Sequence, residues 1–115
     1  MKVIDSTNKI SLTELETMSE NRFGDLVKAV VDVEKGIMAV DAELHSDQEK
    51  ELLTKGSNQE YLWGINLYPS ESGVDFIEFD SMINLRPSWG NLSIGVDDLE
   101  KQNKIIDIVS NLIER

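Results

Sequence analysis

The chain has 115 residues, 22 of them Asp or Glu against 11 Lys or Arg, a formal charge of −11, and no cysteine. An apolar share of 40% beside 29% charged residues predicts one folded domain over residues 1–115, without disulfides or thiolate metal sites. Basic residues scattered from Lys2 to Arg115 argue against nucleic acid, and no apolar run reaches the roughly 18 residues of a membrane span. The start Met1-Lys2-Val3-Ile4-Asp5 lacks the apolar run of a signal peptide, so the expected location is cytoplasmic, with no membrane.

Ser11 and Glu14 form an S-x-x-E capping box, and Ile10 can staple onto Leu15, which predicts a helix from Leu12 to Arg22 with Leu12, Leu15 and Met18 inward. After Gly24 a β-branched run predicts a strand from Leu26 to Val33. Its Val27, Ala29, Val31 and Val33 share one face, opposite Lys28, Val30 and Asp32. Glu34-Lys35-Gly36 supplies hairpin turn chemistry. The return strand is expected from Ile37 to Leu44, with Met38, Val40, Ala42 and Leu44 on one side and Asp41, Glu43 and His45 on the other.

A second box, Ser46 with Glu49, predicts a short helix from Asp47 to Lys55 with Leu52 and Leu53 inward. Tyr61, Trp63, Ile65 and Leu67 alternate as a strand stopped by Pro69, with Gly64 and Asn66 facing away. Ile77, Phe79, Ile83 and Leu85 extend a further strand from Val74 to Arg86, with Glu78, Asp80, Asn84 and Arg86 on its other face. A long loop, Pro87 to Asp97, leads to a helix over Asp98–Glu114, capped by Asp97. Ile105, Ile106, Val109, Leu112 and Ile113 are spaced to cover one of its faces. The fold class is α+β, a mainly antiparallel sheet of about four strands with N-terminal, middle and C-terminal helices covering one face.

A period of two aims Asp41, Glu43 and His45 at one side of the sheet, and mixed carboxylate and imidazole make a candidate set for a divalent metal ion. Glu78 and Asp80 could join them as acid and base around a metal-activated water. The competing explanation is an ordinary solvated sheet face. Arg86, with Asn66 and Asn84, is a candidate anchor for a ligand carboxylate or phosphate, against which stands an internal ion pair with the strand's own carboxylates. Trp89 either anchors a ligand or partner or packs onto the core, and packing is the commoner fate. No serine lies in a nucleophile-elbow motif, and the loop matches no phosphate-binding pattern.

Several segments carry a resemblance: Phe23-Gly24-Asp25-Leu26-Val27-Lys28-Ala29-Val30-Val31-Asp32, Glu43-Leu44-His45 with Asp47, Leu62-Trp63-Gly64-Ile65-Asn66-Leu67-Tyr68-Pro69, and Phe76-Ile77-Glu78-Phe79-Asp80-Ser81-Met82-Ile83-Asn84 with Arg86-Pro87. Together they resemble a family of small uncharacterised bacterial proteins classed as a domain of unknown function, over nearly the whole chain. The resemblance implies a stand-alone cytoplasmic protein and supplies no activity or cofactor. The family more often reads S-Q-G-N-R-S after Arg-Pro, whereas Trp89 and Leu92 stand at the glutamine and arginine positions here, which weakens an anion-binding role for the loop. The leading expectation is an acidic binding or regulatory module without catalytic activity, associating with itself or with a protein partner. The alternative is a metal-dependent hydrolase built on Asp41, Glu43 and His45.

Overall fold

The β-branched middle of the chain pairs as its alternation demands. The computed structural model describes residues 1–115. In chain order the elements are β1 (Lys2–Ile4), β2 (Ile10–Ser11), α1 (Leu12–Arg22), β3 (Val27–Asp32), β4 (Ile37–Val40), α2 (His45–Thr54), β5 (Leu62–Leu67), β6 (Ile77–Glu78), α3 (Leu99–Leu112) and β7 (Ile113–Glu114). An antiparallel sheet runs in the order β1-β4-β3-β5-β6, and β2 pairs with β7 in parallel. No helix is long and apolar enough to cross a membrane.

The β3–β4 hairpin turns at Gly36, whose φ of 69° suits glycine. Buried Asp32 holds that turn: one carboxylate oxygen accepts from the Glu34 and Lys35 amides, and the other accepts from Ser57 Oγ at 2.6 Å. One sheet face, with Ala29, Val31, Met38, Val40, Trp63 and Ile65, forms the main core with Leu15 of α1 and Ile105, Val109 and Leu112 of α3. The other face, with Val30, Ala39 and Leu62, packs on Leu52 of α2. The helices therefore cover both faces rather than one. Strands with apolar residues on both sides, as in β3 and β5, require that cover.

Other departures from the sequence reading have local causes. A fifth strand, β1, joins the sheet, its three residues being too few for a periodic signal. Ser11 Oγ caps α1 through the Glu14 amide at 3.0 Å, but the Glu14 carboxylate turns to Lys2 at 3.0 Å instead of closing the box. The helix α2 starts two residues early with Leu44 at its cap, so Ser46 caps nothing, and Leu53 is 39% exposed. Asp98, not Asp97, caps α3; Asp97 instead accepts from the Leu92 amide and Ser93 Oγ in the preceding loop. The helix also stops at Leu112, because Ile113 and Glu114 pair with β2.

The largest difference lies after β6. In place of a strand reaching Arg86, residues 81–84 form a strap that crosses the β5 face at Gly64, with a 3-10 turn over Met82–Asn84. A Cβ at Gly64 would stand 2.5 Å from Ser81 Cβ, so only glycine admits the strap. The Asn84 carboxamide accepts from Gly64 N–H at 2.8 Å and donates to Gly64 C=O at 2.9 Å, doing for β5 what a neighbouring strand would do.

Candidate functional site

Between α2, the strap and the sheet lies a cleft of about 330 Å³ lined by Lys28, Leu44, His45, Ser46, Asn66, Asp80, Ser81, Met82, Ile83 and Ile94. Register explains its walls. Lys28 and Asn66 are paired neighbours on β3 and β5, and both face the side of the sheet that α2 covers. The next residue of β4 across from Lys28 would be Asp41, but Asp41 adopts a φ of 66° and leaves the strand. The chain then swings over the sheet to start α2 at His45, and Gln48 Nε2 donates to the Lys28 carbonyl at 2.6 Å.

His45 is buried, and its Nε2 lies 2.7 Å from the Ile65 carbonyl oxygen. A carbonyl only accepts, so the proton sits on Nε2 and Nδ1 keeps its lone pair in the neutral ring. Burial pushes the imidazole pKa below its ordinary value, helped by the positive charge of Lys28 and opposed by the Ile65 hydrogen bond and by Asp80. The ring is thereby held as a neutral acceptor near pH 7.

Asn66 is 5% exposed. Its Nδ2 donates to Glu78 Oε1 at 2.8 Å and more weakly to the Asp80 carbonyl at 3.4 Å. Both partners are acceptors, which fixes the carboxamide orientation. The opposite atom, Oδ1, is buried and has no hydrogen-bond partner. Glu78 Oε1 also accepts from Tyr68 OH at 3.1 Å, and burial followed by Glu78 raises the Tyr68 pKa, so the phenol stays protonated.

The cleft unites three residues singled out from sequence, His45, Asn66 and Asp80, and leaves the others elsewhere. Glu78 orients Asn66 from the exposed sheet edge. Asp41 and Glu43 turn to Arg22, at 3.2 and 3.7 Å, and line a separate open concavity with Asp47. The common face expected for Asp41, Glu43 and His45 does not form, because β4 ends at Val40, and no three His, Asp or Glu side chains converge. Asn84 supports Gly64 and the Ile94 carbonyl.

Arg86 is internal, and its ion-pair partner is Glu49 of α2 at 3.3 Å rather than Glu78 or Asp80. It also donates to the carbonyls of Ile83, Gln59 and Leu62, while its guanidinium lies 5.0 Å from the Trp63 ring and 5.4 Å from the Trp89 ring. Burial lowers the Arg86 pKa and Glu49 opposes that. Trp89, expected to pack on the core, is 51% exposed. Asn91 is what pins the long loop, donating through Nδ2 to the carbonyls of Asn84, Ser93 and Gly95 and accepting from the Asp97 amide.

Among the cleft residues that sequence reasoning does not single out are Lys28 and Ser81. Lys28 becomes a wall only once β3 and β5 are known to be neighbours, and Ser81 only once the strap crosses Gly64. The small pair Gly64 and Ser81 was the available signal, since a strand glycine often marks a close approach.

A family model described as "Protein of unknown function (DUF5674)" matches residues 2–112. The chain belongs to that family. Comparison with curated proteins and with solved structures gave no match. Every lining residue of the cleft, from Lys28 to Ile94, lies inside the DUF5674 match.

Proposed function

We propose that this chain is a ligand-binding module, without turnover of its own, that takes a small polar molecule in the cleft between Lys28, His45, Asn66 and Asp80. The observation that carries this reading is Asn66 Oδ1. A buried acceptor without a donor costs about 1–3 kcal/mol, and the bonds to Glu78 and Asp80 prevent the carboxamide from turning to find one. A ligand N–H or O–H that reaches Oδ1 through a small shift of the cleft side chains recovers that cost. The cleft, at about 330 Å³, sits at the small end of ligand sites and suits a molecule of metabolite size.

The test is thermal unfolding together with NMR of the His45 ring, the only imidazole in the chain, against millimolar amines, carboxylates, sugars and nucleosides. A binder raises the melting temperature and moves the His45 signals, since a ligand that prefers the folded state stabilises it by mass action. If no compound moves His45, the reading fails.

A protein partner, or a second copy of the chain, is the second reading, favoured by Met82, Leu85 and Trp89, which are 73, 43 and 51% exposed and border one concavity. Sedimentation velocity across concentrations tests the self-associating form. A monomer throughout, unchanged by Trp89→Ser, removes it.

A further inference from the structure

The groups around the cleft have a polarity that their own hydrogen bonds enforce. His45 spends its proton on Ile65 and keeps a lone pair at Nδ1. Asn66 donates through Nδ2 to Glu78 and to the Asp80 carbonyl and keeps Oδ1 as an unmet acceptor. Asp80 lines the same cleft with a carboxylate, which only accepts when ionised. Three acceptors of this kind call for a ligand with several donors on one atom, which a primary ammonium supplies.

Beside Asn66, on the neighbouring strand, stands a group with the opposite need. Lys28 is half-buried, and in a chain with 22 acidic and 11 basic side chains it has no carboxylate within ion-pairing distance. Its ammonium instead lies 5.4 Å from the centroid of the Phe23 ring. A cation left so in an acidic protein is free to receive an anionic group from outside.

Resting on the ligand-binding reading above, we propose that the ligand is a small zwitterion of the α-amino-acid type, with its ammonium on Asp80, Asn66 Oδ1 and His45 Nδ1 and its carboxylate facing Lys28. Neither half alone answers both needs. The limited volume and the apolar rim of Leu44, Met82 and Ile94 favour a compact side chain.

The experiment follows the His45 imidazole by long-range proton–nitrogen NMR while the whole chain is titrated with the common L-amino acids, with ethylammonium chloride, with sodium acetate and with inorganic phosphate. The expected result is saturable movement of His45 by at least one amino acid, about tenfold weaker binding of ethylammonium, and no movement with acetate or phosphate. Lys28→Met weakens the amino acid at least tenfold and leaves ethylammonium unchanged, whereas Asp80→Asn weakens both. Lys28→Gln serves if the methionine variant melts early. Movement of His45 by acetate or phosphate, with none by amines, overturns the ligand class while sparing the cleft as a site. Silence of His45 toward every compound overturns the site and this inference together.

Discussion

A methyl group added at Gly64 should lift the strap off the sheet. The new carbon would stand 2.5 Å from Ser81 Cβ, 2.6 Å from Ser81 Oγ and 3.2 Å from Ile83 Cγ1. Non-bonded carbons rest about 3.5–4.0 Å apart, so the strap must retreat by about 1 Å. That retreat stretches both Asn84 bonds to Gly64, now 2.8 and 2.9 Å, past useful length. Overpacking of this kind costs about 1–3 kcal/mol. Two weakened hydrogen bonds at about 0.5–1.5 kcal/mol each bring the expected loss for Gly64→Ala to about 3 kcal/mol. For a chain of this size that lowers the melting temperature by about 12 °C. Urea unfolding of Gly64→Ala, Ser81→Gly and the double variant measures it. Because Ser81 supplies the two closest atoms, the double variant should recover about 1.5 kcal/mol or more relative to additivity. A Gly64→Ala midpoint within about 2 °C of the parent, or strict additivity in the cycle, would refute the close crossing.

Two further outcomes follow from buried charge. Burial lowers the His45 pKa below its ordinary 6.5, so the unfolded chain takes up the proton first as pH falls. Stability is therefore full above about 6.5 and declines as pH drops toward the folded value. Urea midpoints at pH 7.5 and 5.0 should fall further for the parent than for His45→Gln, and equal falls would contradict the assignment. Arg86→Met leaves Glu49 and three backbone carbonyls without their guanidinium, at an expected cost of about 3–5 kcal/mol. Glu49→Gln, which keeps the carbonyl bonds, should cost about 1 kcal/mol, and a larger loss there than in Arg86→Met would reverse the roles.

What could be read from the residues was what local chemistry decides. The bounds of α1 follow from the Ser11 cap and the apolar spacing, and the β3–β4 hairpin follows from a β-branched run ending at Gly36. The α+β class follows on the same ground, and the family resemblance holds through the match over residues 2–112. Legibility ends where a long-range partner replaces a local one. Ile77 to Leu85 alternates like a strand, yet Asn84 meets Gly64 through its side chain, so a strap satisfies the same apolar pattern as a ladder. Asp41 gives no sign in its neighbours that it will adopt a positive φ and end β4.

For the candidate site, Asn66, Asp80 and His45 are recognisable by type, but the alternation that groups His45 with Asp41 and Glu43 stops where β4 ends, at Val40. The neighbours of His45 come from β3, β5 and the strap, which only the strand order brings together.

The parallel pairing of Ile10–Ser11 with Ile113–Glu114 bears on how the molecule is made. The two partners lie about a hundred residues apart, among the most distant contacts a chain of this length can hold, and such contacts bring a high loop-closure cost. During synthesis, residues 10 and 11 emerge about a hundred residues before their partners. Until residue 114 has been added and has cleared the ribosome, α1 has no closed edge beside it, and Ile10, completely buried at the end, stays in water. Emergence of the segment that follows α3, more than the appearance of any earlier element, is then the event that closes this edge of the core.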